Sequence, residues 1–225
     1  MKYLITGGTG QLGYDIIKEL ISRGELNYLA PTTKEMNITN KDEVEKVILG
    51  YKPDIIFHCA AYTAVDKAEE DKENCYNINV NGTKNIVSVA EKINAKVVYI
   101  STDYVFDGTK EGIYEIDDKT NPINYYGYTK LMGEEEVKKL KDYLIVRISW
   151  VFGINGKNFI KTMLNLADTK DEISVVSDQI GSPTYTKDLS KLLLDMIENN
   201  KKGLFFATNE DFCSCLLYTS PSPRD

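Results

Sequence analysis

Histidine and cysteine are scarce in this chain of 225 residues, and their scarcity limits the chemistry that it can carry. The single histidine, His58, lies inside the apolar run from Asp54 to Ala61, where we expect a buried structural role. A Ser-His-Asp hydrolase or a histidine-based metal site would have to use that residue, so both are disfavoured. The four cysteines show neither metal-ligand spacing nor a disulfide framework. The sequence therefore predicts no metal site and indicates a reduced, cytoplasmic setting.

Positive charge and long apolar segments are also lacking. The chain has 27 lysines and arginines against 34 aspartates and glutamates, which gives a formal net charge of -7. Surfaces that bind nucleic acid or anionic membranes are normally basic. No run approaches the roughly 20 apolar residues of a membrane helix, and residues 1–7 lead into a strand pattern rather than a signal peptide. Neither a nucleic acid nor a membrane is therefore predicted as a partner.

Short apolar runs alternate with amphipathic segments along the first two thirds of the chain. The runs predict strands at residues 2–6, 27–30, 54–59, 96–101 and 143–150, and the amphipathic segments predict helices at 11–23, 41–49, 75–92 and 125–140. Strands that are apolar almost throughout are typical of a parallel sheet covered on both faces. The predicted fold class is therefore α/β, a Rossmann-type doubly wound parallel sheet.

A glycine-rich turn follows the first predicted strand. Gly8-Thr-Gly10-Gln-Leu-Gly13 satisfies G-x-G-x-x-G between a strand and a helix, and Gly7 precedes it. Glycines at such a turn let the backbone approach a ligand closely, so that a pyrophosphate can rest on the helix N-terminus. We interpret the turn as a dinucleotide site rather than an ordinary tight turn.

The acidic residue that usually holds the ribose 2′-hydroxyl after the second strand is not evident. Residues 31–34 occupy that region instead, and Thr32, Thr33 and Lys34 could meet a 2′-phosphate. The cofactor is therefore predicted to be NADPH or NADH, with a slight preference for NADPH.

Tyr126 and Lys130 lie four residues apart and would share one face of a helix. A nearby ammonium favours the phenolate and would lower the tyrosine pKa from about 10 toward neutrality. Thr102 could then hold a substrate carbonyl while a reduced nicotinamide supplies hydride. Tyr-x-x-x-Lys alone occurs by chance in many helices, but the glycine turn earlier in the chain favours a catalytic interpretation.

Four segments of interest each follow a predicted strand, and ligands of such sheets bind beyond the carboxyl ends of the strands. These segments are Gly7–Gly13, Ala60–Thr63, Ser101–Asp103 and Trp150. Trp150 fits a core anchor and a ligand contact equally well. The charged run 134–139 is interpreted as a solvated helix face.

Beyond Trp150 the pattern is mixed, with helices predicted at 159–167 and 187–198 and short strands at 173–176 and 203–207. We expect a dinucleotide-binding domain at 1–150, a small and incomplete C-terminal substrate-binding domain at 151–214, and a tail at 215–225. The tail has no periodicity, and its back-translation looks like a sequencing adapter read in frame. We therefore expect the tail to be non-native and the chain to be truncated at its C-terminus.

These motifs resemble those of the extended short-chain dehydrogenase/reductases, and within them the dTDP-4-dehydrorhamnose reductase group. The resemblance runs in order along nearly all of residues 1–214. It rests on the stretches Thr6–Gly13, Ala60–Glu69, Ser101–Gly108, Tyr126–Glu134, Arg147–Phe152 and Asp178–Thr184. The first and fourth are shared with nucleotide-sugar epimerases and dehydratases, whereas Ala64–Glu69 and the last look specific to the group.

The resemblance implies NAD(P)H-dependent reduction of the 4-keto group of dTDP-4-dehydro-L-rhamnose to dTDP-L-rhamnose, a polysaccharide precursor. It implies that Tyr126 donates the proton, that Lys130 binds the nicotinamide ribose, and that Thr102 hydrogen-bonds the keto oxygen. Asp103 and Trp150 would contact the sugar. The cofactor-binding residues would be Gly7, Gly10, Gln11, Leu12, Gly13, Asn37, Ile38, Ala61, Tyr62, Thr63 and Lys130. The family often has Asp-Ile where this chain has Asn37-Ile38, which leaves the choice of cofactor open.

Two alternatives stay open. A sister nucleotide-sugar epimerase or dehydratase would keep the cofactor site and change the sugar pocket. A non-catalytic relative, such as the methionine adenosyltransferase regulatory subunit, would act as a binding partner. The intact Thr102, Tyr126 and Lys130 favour catalysis. A homodimer is left open.

Overall fold

The computed structural model describes residues 1–170 and 172–215, and a sheet of six strands lies at its centre. The strands are β1 Tyr3–Thr6, β2 Tyr28–Leu29, β3 Ile55–His58, β4 Lys96–Thr102, β5 Tyr143–Ile148, β6 Val151–Phe152, β7 Ile180–Gly181, β8 Thr184–Tyr185, β9 Gly203–Phe206 and β10 Cys213–Ser214. The helices are α1 Gln11–Ser22, α2 Lys41–Tyr51, α3 Lys72–Tyr76, α4 Thr83–Ile93, α5 Tyr125–Val137, α6 Phe159–Ala167 and α7 Thr186–Glu198. Apart from Cys215, the predicted tail lies outside the described residues.

The main sheet has the strand order β2-β1-β3-β4-β5-β9, and every neighbouring pair is parallel. The chain runs outward in one direction from β1 to β2 and in the other from β3 to β9. The switch point between β1 and β3 is where ligands of doubly wound sheets bind. The predicted fold class is confirmed.

Each face of the sheet has its own apolar core. Tyr3 and Ile5 of β1 pack in a cluster with α1 and α7, whereas Leu4 packs in a second cluster with α2, α4 and the end of α5. Successive strand residues point to opposite faces. A strand buried on both sides must therefore be apolar at every position, which is the pattern that the sequence shows.

Helix α5, which carries Tyr126 and Lys130, begins where the sequence predicts. The side chain of Asn124 caps it, accepting a hydrogen bond of 2.7 Å from the backbone N–H of Gly127. Asparagine is among the preferred N-cap residues because its side-chain oxygen satisfies a free amide of the first turn. The helix ends at Val137, three residues before the predicted end at residue 140.

Two predicted elements differ from the structure. The single helix predicted at 75–92 is interrupted, because the π-helical segment Asn77–Gly82 separates α3 from α4. The strand predicted at 173–176 is wrong, since residues 172–177 form no strand. Residues 173–176 are apolar enough for a strand, but a strand forms only where a neighbouring strand pairs with it.

The C-terminal elements α7 and β9 were predicted to lie on the substrate side, but they belong to the main sheet and its core. Strand β9 pairs in parallel with β5, and α7 packs against α1. The guanidinium of Arg23, the C-cap residue of α1, also forms ion pairs with Asp195 and Glu198 of α7, both at 2.8 Å. The sheet therefore continues beyond residue 150.

None of the helices in the described ranges has the length and apolar character that a membrane crossing requires.

If α7 belongs to the main core, Leu193→Ala should lower the free energy of unfolding of the whole chain by about 2–5 kcal/mol, because it leaves a cavity. Leu193 is fully buried in the cluster that includes β1 and α1. Urea unfolding followed by circular dichroism measures the change. Leu192→Ala is the matched control, since that side chain is 42% exposed. A separate early transition that leaves the sheet intact would contradict the assignment.

Candidate active site

The four segments that were predicted to share one edge of the sheet follow strands whose ends are in register. Thr6 of β1 pairs with His58 of β3, and His58 pairs with Tyr99 of β4. The pairing continues from Thr102 at the end of β4 to Ile148 at the end of β5. The segments after these strands therefore meet at the carboxyl edge of the sheet.

The glycine turn forms a cradle at the start of α1. Gly7 has a φ of +68°, and a β-carbon there would lie 2.8 Å from the backbone nitrogen of Ala60. A β-carbon at Gly13 would collide with the carbonyl oxygen of Gly7. No side chain within the described residues caps this end of α1, whose first residue is Gln11. Open amides and the positive end of the helix dipole suit a pyrophosphate.

The loop after β2 contains an acidic group that the sequence analysis overlooked. The carboxylate of Glu35 accepts hydrogen bonds of 2.8 Å from both the N–H and the hydroxyl of Thr32, and these bonds lower the pKa of Glu35. Thr33 and Lys34 are exposed beside it. The loop therefore presents the ammonium of Lys34 and the carboxylate of Glu35 to any ligand that binds beyond the end of β2.

Asn37 and Ile38 are held by local contacts. The side-chain oxygen of Asn37 accepts from the N–H and hydroxyl of Thr39, at 3.1 and 2.9 Å. Ile38 is 8% exposed and packs against the π-helical segment at Gly82. Their role as cofactor contacts stays a prediction.

Tyr126 is buried at the start of α5, with its ring edge-on to Tyr104 at 5.8 Å between centroids. Burial raises the pKa of Tyr126 above its ordinary value, the charge of Asp103 raises it further, and the hydroxyl of Thr102 opposes the rise. The predicted lowering of this pKa by Lys130 is wrong in direction. Desolvation penalises the phenolate more than the surrounding charges favour it.

Lys130 is also buried, at 3% exposure. Its ammonium lies 4.1 Å from the centroid of the Tyr99 ring. Burial lowers the pKa of Lys130 to about 7, against the opposing effect of Glu134 on the same helix. The ammonium is therefore only partly populated at neutral pH.

Thr102 and Asp103 form a hydrogen-bonded pair at the end of β4. The hydroxyl of Thr102 donates to the carboxylate of Asp103 at 2.9 Å and accepts from the N–H of Tyr104 at 3.3 Å. Burial raises the pKa of Asp103. Since a hydroxyl has one proton, Thr102 can donate to a ligand only when it turns away from Asp103.

Trp150 follows β5 with a φ of +43°, a conformation that is unusual for a large side chain. It is half-buried and lines a cavity of about 340 Å³. The other lining residues are Tyr104, Val151, Phe152, Phe159, Met163, Ser174, Val175, Val176, Gln179 and Cys215. Tyr104, which contacts Tyr126, joins this cavity to the polar centre. Strained backbone of this kind is common at ligand sites.

His58 has the structural role that was expected. Its ring nitrogens lie 2.8 Å from the hydroxyl of Thr6 and 3.0 Å from the hydroxyl of Thr83. Burial lowers the pKa of His58 to about 3, and the charge of Lys130 adds to the effect. A histidine held neutral between two hydroxyls serves the core rather than proton transfer at neutral pH.

Comparison with known proteins shows the family of the chain. A family model described as the RmlD substrate binding domain matches residues 1–220. A dTDP-4-dehydrorhamnose reductase of Aggregatibacter actinomycetemcomitans is 41% identical over 216 residues, which cover 93% of this chain and 74% of that protein. The chain belongs to the RmlD family. The resemblance stated from the motifs is confirmed.

Two further relatives extend the match. The spore coat polysaccharide biosynthesis protein SpsK of Bacillus subtilis is 42% identical over 214 residues, covering 95% of this chain and 75% of that protein. A crystal structure of dTDP-4-dehydrorhamnose reductase from Bacillus anthracis, in complex with NADP, matches with a TM-score of 0.93 at 42% identity. That match covers 97% of this RmlD-family chain and 79% of the solved one.

Asn79, in the π-helical segment, is a site residue that sequence analysis missed. Its side-chain oxygen accepts from the N–H of Tyr62 at 2.8 Å, and its amide donates to the carbonyl of Tyr62 at 3.2 Å. The same amide donates to the hydroxyl of Thr129 on α5 at 3.0 Å. Asn79 thus ties the loop after β3 to the helix of Tyr126 and Lys130. In the sequence, the only sign of this role is a polar residue inside an otherwise amphipathic run. In the structure, the π-helical turn is a second sign, because such turns often occur at functional sites.

The segment after β6 adds a second contact that the RmlD-family sequence did not reveal. The amide of Asn155 donates to the carbonyl of Thr9 at 2.9 Å, and that of Asn158 donates to the side chain of Gln11 at 3.0 Å. The chain beyond Trp150 therefore rests directly on the glycine turn. A spacing in sequence of nearly 150 residues gives no sign of this contact.

Replacing Asn79 with Ala should lower the free energy of unfolding by about 1–3 kcal/mol, because buried partners at Tyr62 and Thr129 lose their hydrogen bonds. The loop at 61–63 should also lose its anchor, so affinity for a nicotinamide cofactor should fall. Urea unfolding and NADPH fluorescence titration measure the two effects. Asn81→Ala, at an exposed position of the same segment, should change neither. Equal effects of both substitutions would show that Asn79 has no special role.

Proposed function

We propose that this chain reduces the 4-keto group of dTDP-4-dehydro-L-rhamnose to dTDP-L-rhamnose, with NADPH or NADH as the hydride donor. The observation that carries the proposal is the buried pair of Tyr126 and Thr102, with Lys130 on the same helix, at the sheet edge that also holds the glycine cradle. Membership of the RmlD family supports it, as does the NADP bound to the relative from Bacillus anthracis.

The cradle fits a dinucleotide because a side chain at Gly7 or Gly13 would fill it. The N–H groups of Gln11, Leu12 and Gly13 begin α1 and would hold the pyrophosphate. The loop at 61–63, which Asn79 anchors, would line the nicotinamide side. When bound, the reduced nicotinamide supplies the hydride.

Tyr126 is the proton donor in this scheme. Its raised pKa keeps the phenol protonated at neutral pH, and a reduction needs an acid at this position rather than a phenolate. As the C4 oxygen gains negative charge, the O–H bond of Tyr126 breaks and its proton passes to that oxygen. The phenolate that remains lies on the same face of α5 as Lys130, whose ammonium would then stabilise it.

Thr102 and Asp103 orient the keto oxygen and the sugar. In the structure the Thr102 hydroxyl donates to Asp103, and a substrate hydroxyl that donates to the same carboxylate would free it. Thr102 would then donate to the keto oxygen next to Tyr126. Binding of the sugar would thus replace the hydrogen bond between Thr102 and Asp103 with two hydrogen bonds to the substrate, one from Thr102 and one to Asp103.

The cavity beside Trp150 is the place for the remainder of the nucleotide sugar. Its volume of about 340 Å³ and its aromatic lining suit a base or sugar ring. The nucleotide sugar is a soluble metabolite, and Cys59, Cys75 and Cys213 carry free thiols. We therefore place the protein in the cytoplasm as part of the proposal.

Reduction of dTDP-4-dehydrorhamnose by NADPH, followed at the absorbance band of the reduced nicotinamide, tests the function directly. A decrease in absorbance that depends on the sugar supports a reductase. A sister epimerase or dehydratase would convert another nucleotide sugar without net loss of NADPH. A binding subunit would show no turnover with either kind of substrate.

Tyr126→Phe should lower turnover by roughly 10²–10⁴-fold while cofactor affinity survives, because the ring stays and only the proton is lost. Lys130→Met should lower both turnover and cofactor affinity, since Lys130 is assigned a role in stabilising the phenolate and a role in binding the nicotinamide ribose. Steady-state kinetics and NADPH titration give the two quantities. Tyr128→Phe is the control on the same helix, where the side chain is 41% exposed. Near-normal turnover by Tyr126→Phe would disprove the mechanism.

Both NADPH and NADH should serve as cofactors, with specificity constants that differ by less than about a hundredfold, or 2.7 kcal/mol. The loop after β2 offers Lys34 to a 2′-phosphate but also carries the repelling carboxylate of Glu35. Glu35→Gln should therefore move the ratio toward NADPH. Glu25→Gln, outside this loop, is the control. A stronger preference for NADH would mean that an acidic group grips the ribose.

A further inference from the structure

A buried ion pair lies one helical turn beyond Lys130. Glu134 has no exposed surface and Arg147 is 4% exposed. Two parallel hydrogen bonds join them, at 2.9 Å from Nε to Oε1 and at 2.8 Å from Nη2 to Oε2. The hydroxyl of Ser101 donates to the same carboxylate at 2.5 Å. The interpretation of residues 134–139 as a solvated face is therefore wrong for Glu134, although Glu135 is exposed as expected.

This pair connects the elements that carry the proposed catalytic groups. Glu134 lies on α5, four residues after Lys130, and Ser101 precedes Thr102 at the end of β4. Arg147 lies on β5, three residues before Trp150. One carboxylate thus fixes the helix of Tyr126 and Lys130 against both strands whose ends form the site.

Stability does not account for the pair. Removing two charges from water costs as much as their attraction returns, and apolar residues of similar volume usually stabilise a fold at least as well. Arg147 Nη1 has no hydrogen-bond partner among the described residues, which adds to the cost. The guanidinium carbon lies instead 5.1 Å from the ring centroid of Phe106 and 5.9 Å from that of Phe206. The directional bonds of Glu134 remain as the reason for the pair.

We propose that Glu134 is a positioning residue for the reaction proposed above, on which this inference rests. Through Arg147 and Ser101 it holds α5, and with it Lys130, in register with the ends of β4 and β5. Apolar packing could hold the helix near the sheet, but it would not fix the position of the helix along its own axis. A bidentate pair fixes both distance and direction.

The pH dependence follows from the groups around Lys130. The groups that act on it are Glu134 from α5, His58 and Cys59 from the β3 side, Cys75 from α3 and Tyr99 from β4. Burial lowers the pKa of Lys130 to about 7, and the charge of Glu134 opposes this effect. The ammonium is therefore lost as the pH rises through about 7, and without Glu134 it should be lost at lower pH.

Glu134→Gln tests the proposal, with Glu134→Gln/Arg147→Met as the form that leaves no unpaired buried charge. Turnover should fall about tenfold to a hundredfold, mostly in kcat, since the reacting groups are misplaced. The pH at which NADPH affinity declines should fall in both forms, because the charge that opposes the effect of burial on Lys130 is lost. Glu135→Gln is the matched control, because its side chain is 53% exposed and pairs with Lys138. It should match the parent protein in both measurements.

A folded double variant with unchanged kcat and an unchanged pH profile would overturn the proposal. If neither form folds by thermal melting, Glu134→Asp decides, since it keeps the charge and shortens the reach. Reduced kcat with the parent pH profile in that variant supports positioning, and unchanged kcat refutes it. A parent protein that binds NADPH but reduces no dTDP-linked keto sugar would count against the proposed function alone. The shift in the NADPH profile would still test Glu134.

Discussion

The burial of helix α5 against the sheet is the constraint on which the site depends. It takes Tyr126, Lys130 and Glu134 out of water together, and each responds according to its chemistry. The phenol is held protonated and the ammonium loses part of its charge, because desolvation disfavours the charged form of the phenol and of the amine. The carboxylate of Glu134 is hydrogen-bonded to Arg147 and Ser101.

Two side-chain amides join segments of the site that lie far apart in the sequence. Asn79 links the loop after β3 to α5, and Asn155 links the segment after β6 to the glycine turn. These amides satisfy backbone groups that would otherwise lie unpaired near the ligand site. Each amide therefore joins two elements that are distant in sequence.

The two faces of the sheet support different parts of the site. The face of α1 and α7 holds the glycine turn through an apolar cluster and the Arg23 ion pairs. The opposite face holds α4 and α5, and the polar groups of the site lie at the carboxyl edge of the sheet. Because α7 and β9 complete the first face, residues beyond 150 stabilise the cofactor side as well as the substrate side.

The sequence by itself determined the α/β class, the glycine turn, the start of α5 and the shared edge of Tyr126, Thr102 and Trp150. These follow from local periodicity, a local cap and the direction of parallel strands. Only the tertiary structure decided that β9 joins the main sheet, that Glu134 is buried, and that burial raises rather than lowers the pKa of Tyr126. Pairing partners and desolvation depend on residues far away in the chain, so no local pattern records them.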